Sequence, residues 1–293
     1  MASAELRDTR RRIKSVQAIM KITSAMELIA ASRIPKARAR VNASKPYTAK
    51  LIEVIRNVGG LAGGPSHMLL ERREVRTVGV LVVSADRGLA GAYASSIIRV
   101  AEAAIIRHRK AGKEVRLFVV GKKAQAYFDY RGYHTERAFT GVTDTPGYGD
   151  ARAISNLVMD AYAEGRVDAV EAFYTRFDSA ITQTPATFEL LPVEPPGDDD
   201  AGAPSTVSYE YEPAPEEILE RLLPRYVEAI VFNMLLESSA SEHSARRRAM
   251  KAATDNADEL IRTLSNQANR ARQAEITTEI SEIVGGAEAL NQN

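Results

Sequence analysis

Side chains that could do chemistry are few and scattered in this 293-residue sequence. The segment with the most potential is SADRGLAGAY (Ser84 to Tyr93), which follows a β-branched run and opens a helix-like one; Gly88 and Gly91 could turn backbone amides toward an anion. A dinucleotide site needs G-x-G-x-x-G, and a Walker loop needs a glycine upstream of its Gly-Lys, which Gly112-Lys113 and Gly121-Lys122-Lys123 both lack. Asp144-Thr145-Pro146-Gly147 imitates the metal-side motif of a GTPase, but with no phosphate-loop lysine nothing would hold a triphosphate. The glycine segment is thus either a tight turn packing strand to helix, the favoured reading, or a nucleotide site. His67, His108, His134 and His243 are scattered without an i, i+4 pair or a carboxylate cluster, so no metal site is expected. There is no G-x-S-x-G elbow, and Ser238 to His243 is a small-residue stretch with no evident orienting acid. Neither a catalytic residue nor a cofactor is expected.

Composition narrows the classes further. Lysine and arginine total 39 against 38 acids, so the net charge of +1 gives no global attraction to nucleic acid. The basic runs Arg10-Arg11-Arg12 and Arg246-Arg247-Arg248 lack the interleaved aromatics of single-strand binders and read as solvated faces or as discrete contacts to acidic protein loops. With no cysteine, disulfides and thiol chemistry are excluded. No signal peptide and no membrane span are expected, since no apolar run approaches the roughly 20 residues a span needs.

The elements that must position these residues fall into three zones. Neither proline nor glycine occurs between Met1 and Pro35, and from Arg225 onward proline is absent and glycine waits until Gly285, so both ends predict long helices. Helices from about Ala4 to Val58 and from about Glu216 to Val284 would be roughly 80 and 100 Å long, too long to fold inside one domain. Ile19, Ile22, Met26 and Ile29 step at seam spacing, and Ile13, Val16 and Met20 form a second such row. Ala249, Ala253, Ala257, Leu260, Leu264, Ala268 and Ala271 do the same at the other end, with Ile276, Ile280, Ile283 and Val284 at the tip. Pro35 and Pro46, and likewise Pro224, are expected to kink or break their helices.

Between the helices, Val75–Ser84, Glu114–Gly121, Val167–Phe177 and Thr184–Pro192 read as strands, alternating with helices near Gly91–Ala111, Lys122–Tyr130 and Asp150–Gly165. This alternation predicts a Rossmann-like α/β domain with a largely parallel sheet, carried at one end of a long antiparallel coiled coil of the terminal helices. The expected division is a shaft helix over 1–58, an α/β foot over 75–193, an acidic proline-rich loop over 194–215 and a second shaft helix over 216–293. Within the loop, Ser208 to Glu212 is a possible edge strand, and 196–204 is either regulatory or a tolerated surface insertion.

VQAIMKITSAMELIAASRIPKAR (Val16 to Arg38), SEHSARRRAMKAATDNADELI (Ser241 to Ile261) and NQANRARQAEITTEISEIVGGA (Asn266 to Ala287) resemble the shaft helices of gamma subunits of F-type ATP synthases, and SADRGLAGAY with the order of elements extends the resemblance over essentially the whole chain. The resemblance implies a noncatalytic rotor, one copy per complex, turning inside an alpha3–beta3 hexamer. Its foot would rest with the epsilon subunit on the proton-driven c-subunit ring, at the cytoplasmic side of the cell membrane. It would transmit torque during ATP synthesis or hydrolysis and so regulate ATPase activity and proton flow. It also implies that Met26 faces the acidic loop of beta, that Arg246 pairs with that loop's carboxylates, and that Arg272, Gln273 and Thr277 touch a beta loop near the top of the shaft. From the residues alone, Met26 is equally a core filler, and Gln273 could bond to its own helix. The competing readings are a freestanding nucleotide-binding α/β enzyme with helical arms and a helical-arm RNA binder.

Overall fold

The computed structural model describes residues 2–59, 67–193 and 214–291. Ten elements follow in order: α1 (Ala2–Gly59), β1 (Thr77–Val83), α2 (Tyr93–Lys110), β2 (Glu114–Val120), α3 (Lys122–Tyr130), β3 (Thr135–Phe139), α4 (Tyr148–Ala163), β4 (Ala169–Phe177), β5 (Gln183–Leu191) and α5 (Pro215–Asn291). The acidic loop and its candidate strand lie outside the described residues, except for its last two. The described chain forms two compact units, one of Met1–Ala30 with Arg247–Asn293, the other of Ala31–Arg246.

The larger unit is built on a five-stranded sheet of order β3-β2-β1-β4-β5. β1 pairs in parallel with both β2 and β4, β2 pairs in parallel with β3, and β5 returns antiparallel on β4. The expected α/β domain is therefore present, with one strand added to those read from sequence. β3 was missed because its TERAF carries Glu136 and Arg137 and buries no residue fully, as suits a short edge strand.

Alternation along β1 assigns its two faces. Val78, Val80 and Val82 join Ile97, Ile105, Ala124 and Phe128 beneath α2 and α3. Leu81 and Val83 point the other way, into a larger core with Ile154 and Val158 of α4, Leu51, Ile55 and Val58 of α1, and Leu219, Leu223 and Val227 of α5. A parallel sheet must be covered on both faces. Here one face is covered by crossover helices, the other by α4 together with segments of the two terminal helices. α1 and α5 run antiparallel in this unit: Val41 packs with Leu236 and Ala240, and farther along α1 the Thr48 hydroxyl accepts a 2.7 Å bond from the Asn233 side chain.

Burial along α1 follows a strict alternation of three and four. In the smaller unit it marks Leu6, Thr9, Ile13, Val16, Met20, Thr23, Glu27 and Ala30; in the larger it marks Ile34, Ala37, Val41, Ser44, Thr48, Leu51, Ile55 and Val58. The second sequence row (Ile13, Val16, Met20) lies on this seam. The first does not: Ile19, Ile22 and Ile29 are 54%, 60% and 54% exposed, and only Met26 of that row is half-buried. In the smaller unit α5 meets α1 through Met250, Thr254, Ala257, Ile261, Leu264, Ala268 and Ala271, and the Thr23 and Thr254 hydroxyls are 2.7 Å apart across the seam. Leu260, which the sequence row included, turns outward.

α1 continues through Pro35 and Pro46 and α5 through Pro224, so of the two expected outcomes, a kink or a break, the break does not occur. Pro35 and Pro46 are exposed, off the seam, so the carbonyls that lose their partner, on Ala31 and Asn42, fall on sides where water can reach them. Pro46→Ala should therefore stabilise the larger unit by about 2 kcal/mol: the roughly 3 kcal/mol helix penalty is removed, and about 1 kcal/mol of chain entropy is returned to the unfolded state. Urea unfolding measures it, and an unchanged or lower midpoint would show that the proline is not strained there.

Candidate functional site

The carboxyl ends of the parallel strands are where open α/β sheets bind ligands. In this chain three loops and α5 converge there. Asp86, in the β1–α2 loop, accepts bonds from the Lys122 amide (3.1 Å) at the start of α3 and from the Thr143 amide and hydroxyl (3.1 Å each) in the β3–α4 loop; its own amide donates to the Thr143 hydroxyl at 3.0 Å. Burial pushes this carboxyl up, but the Gly141, Thr143 and Lys122 amides together hold it below its ordinary value of 3.8. A depressed folded pKa means that its stabilisation is present at pH values well above the ordinary 3.8 and is lost progressively as pH falls through that value and the lower, folded one. Asp86→Asn, whose amide nitrogen cannot accept, is expected to cost about 1 kcal/mol at pH 7 and to flatten the acid limb of the stability profile. An unaltered acid limb would exclude Asp86 as its source.

Asp144 is the densest node. Its carboxylate accepts from Arg33 Nη1 of α1 at 2.5 Å to both oxygens, and Arg87 Nη2 and His243 Nε2 lie 3.7 and 3.9 Å away. Its main-chain carbonyl accepts from Ser239 Oγ at 3.1 Å and lies 3.2 Å from His243 Nε2, which must carry the proton there because a carbonyl can only accept. Burial pushes the imidazole below its ordinary 6.5, so it is neutral at pH 7. Two residues on, the Pro146 carbonyl accepts from Arg40. Arg33, Arg40, Asp144, Ser239 and His243 line a cavity of about 330 Å³.

Alongside, α5 closes the crevice. Arg246 Nη2 is paired with Glu242 at 2.5 Å and donates to the Gly88 carbonyl at 3.2 Å, and the Tyr93 hydroxyl donates to the Ser238 carbonyl at 3.0 Å. Ser238 Oγ and Ser241 Oγ bond to the Thr175 amide and carbonyl on β4. The glycine segment thus packs against a helix of its own chain through the Gly88 carbonyl and the Tyr93 hydroxyl, a contact in keeping with the packing-turn reading. The Asp144-Thr145-Pro146-Gly147 tetrapeptide likewise spends its carboxylate on arginines. Two histidines do have carboxylate neighbours that sequence could not show, since the partners come from other elements: His243 with Asp144, and His108 Nε2 with Glu171 at 2.9 Å. Among the described residues no three ligand-type side chains gather around a metal position, and no serine hydroxyl bonds to His243.

The five residues singled out by resemblance divide between the units. Arg246 is 7% exposed in the larger unit and already ion-paired. In the smaller unit Met26 is half-buried, whereas Arg272, Gln273 and Thr277 are exposed on α5. The Thr277 hydroxyl donates to the Gln273 carbonyl one turn back, at 2.9 Å. Sequence reasoning missed Asp86 and Asp144 as organising residues, although the Glu242–Arg246 spacing of four was a legible helix pair. Among the described residues no helix is long and apolar enough to cross a membrane.

The fold is an α/β sheet packed against segments of two very long terminal helices, with α5 lying along the carboxyl ends of its parallel strands. A family profile described as ATP synthase matches residues 5–290. The ATP synthase gamma chain of Parafrankia sp. (strain EAN1pec) is 47% identical, with 98% of each chain covered, and that of Kineococcus radiotolerans is also 47% identical over 98% of this chain and 97% of its own. The fold is shared with a chain of the Euglena gracilis mitochondrial ATP synthase OSCP/F1/c-ring assembly (TM-score 0.70, 16% identity, 98% and 95% covered) and with one of the Tetrahymena thermophila central stalk/c-ring assembly (TM-score 0.60, 24% identity, 79% and 99% covered). The chain belongs to the gamma-chain family of ATP synthase.

Proposed function

We propose that this chain is the torque-transmitting shaft between a proton-driven c-subunit ring and the catalytic beta subunits, one copy standing in each alpha3–beta3 hexamer. The observation that carries the reading is the outer surface of the helix pair in the smaller unit. Although that pair has a filled seam, Ile19, Ile22, Leu28 and Ile29 of α1 and Ile276, Ile280 and Ile283 of α5 are 45–72% exposed. So much aliphatic surface on a slender pair is unfavourable in water and fits a surrounding sleeve of protein. Met26 and the exposed Arg272, Gln273 and Thr277 are the positions at which beta loops would touch the shaft; an arginine fork can exchange one carboxylate for the next as it turns. Arg246 would meet beta carboxylates only in competition with Glu242. Segments 1–58 and 216–293 form the shaft and 75–193 the foot, which with epsilon would sit on the ring at the cytoplasmic face of the membrane. Rotation then works by differential contact: each shaft orientation favours a different conformation of each beta subunit, and this bias regulates ATP turnover and proton flow.

Co-expression with alpha and beta subunits from the same source, followed by native mass spectrometry and an ATPase assay, tests the reading. One copy per three alpha and three beta, with hydrolysis dependent on its presence, is the expected result. A chain that stays apart from an otherwise competent hexamer would sink the proposal.

A further inference from the structure

The β3–α4 loop touches both long helices of the larger unit through directional polar contacts. It holds α1 at Arg33 and Arg40 and α5 at Ser239 and His243, and three of these four residues converge on the side chain or carbonyl of Asp144. They differ in kind from the contacts that seat the same helices on the sheet farther along, where Leu51, Ile55 and Val58 of α1 pack with Leu219, Leu223 and Val227 of α5. Apolar burial is non-directional and tolerates small slides and turns, whereas the charge-assisted contact of Arg33 Nη1 with both carboxylate oxygens is short and directional. Leu51 follows Arg33 by 18 residues, about 27 Å along the helix. The helix pair is therefore gripped at two levels, and the polar grip lies at the end where α1 enters this unit at Ala31 and α5 leaves it at Arg246.

We propose that Asp144 is the rotational lock of the rotor: it binds the α/β foot to both shaft helices so that the two turn together under load. This rests on the torque-transmitting reading above. Asp144 is a positioning residue and touches no nucleotide. Without its carboxylate, Arg33 loses its partner on the loop and α1 keeps only the Arg40 tie there, while α5 retains its hydrogen bonds to the Asp144 carbonyl and to Thr175 of β4, so the weakened grip is the one on α1. Slip then grows with the opposing force, while the shaft tip inside the hexamer keeps its own contacts.

The test uses the complete complex with its membrane ring, reconstituted in sealed vesicles, carrying wild-type chain, Asp144→Ala or Asp144→Asn. ATP hydrolysis is measured with the proton gradient collapsed by an ionophore, and lumen acidification is measured with the gradient allowed to build. For Asp144→Ala, unloaded hydrolysis is expected to stay within about twofold of wild type, while protons pumped per ATP under load fall about fivefold, the population change that loss of one charge-assisted contact produces. Asp144→Asn, which keeps one acceptor oxygen for Arg33, should fall between the two. A wild-type ratio of pumping to hydrolysis in Asp144→Ala overturns the lock, and so does an equal fall in both activities, which is what simple unfolding would give. If Asp144→Ala does not assemble, the Asp144→Asn ratio decides: a lowered ratio supports the lock and an unchanged one overturns it. Failure of the wild-type chain to support pumping at all would instead count against the rotor reading itself.

Discussion

Arg246→Ala is expected to lower the stability of the larger unit by about 3 kcal/mol, because it leaves Glu242 buried without a counter-charge. Glu242 is 1% exposed; burial pushes its carboxyl above the ordinary 4.5, and the Arg246 guanidinium pulls it partly back. Removing the guanidinium removes that correction, so the carboxyl should take up a proton on folding. A raised folded pKa gives stability that is present at low pH and lost as pH rises from the unfolded value through the folded one. The cost of Arg246→Ala should therefore be greater at pH 8 than at pH 5. Adding Glu242→Gln to the variant should recover about half of the loss, since the remaining amide has a far smaller desolvation cost. Urea unfolding at both pH values checks this. A pH-independent cost, or no recovery in the double variant, would mean that the Gly88 carbonyl contact or local packing matters more than the charge. The point bears on function: loss of activity in an Arg246 variant is not by itself evidence of a lost beta contact, because the first casualty is the fold around the β1–α2 loop.

Gly121→Ala is expected to cost at least about 4 kcal/mol and to leave the sheet domain largely unfolded at 37 °C. Gly121 joins β2 to α3 at φ +100°, and a Cβ built there would stand 2.8 Å from the carbonyl carbon of Ala85. Backbone on both sides is committed: the Gly121 amide donates to the Phe139 carbonyl at 2.8 Å, and the Lys123 amide to the Ala85 carbonyl at 2.9 Å. No side chain is available to move aside. Gly112 is the internal control, since it has φ +77° but nothing within 4 Å of a built Cβ. Gly112→Ala should cost only the conformational part, about 1 kcal/mol. Thermal unfolding of the two variants side by side separates strain from collision, and equal losses would refute the collision argument.

The sequence determined a good deal by itself. Long proline- and glycine-poor ends, short β-branched runs and alternating helices dictated two terminal helices and a mostly parallel sheet, because period and punctuation are local properties of the chain. The specific strings at both ends also marked the family. The sequence could not say which of two overlapping seam rows on α1 is buried, since Ile19-Ile22-Met26-Ile29 and Ile13-Val16-Met20 carry similar apolar character and only the partner helix breaks the tie. Nor could it show that Pro35 and Pro46 are tolerated, which depends on their facing outward. β3 escaped because an edge strand needs little apolar sequence when its one neighbour supplies the pairing. The polar node was the least legible feature. Asp144 gathers Arg33, Arg87, Ser239 and His243 from positions 57 to 111 residues away, and contacts at such separations are set by how the loops and helices cross, a property of the tertiary structure that no local spacing encodes.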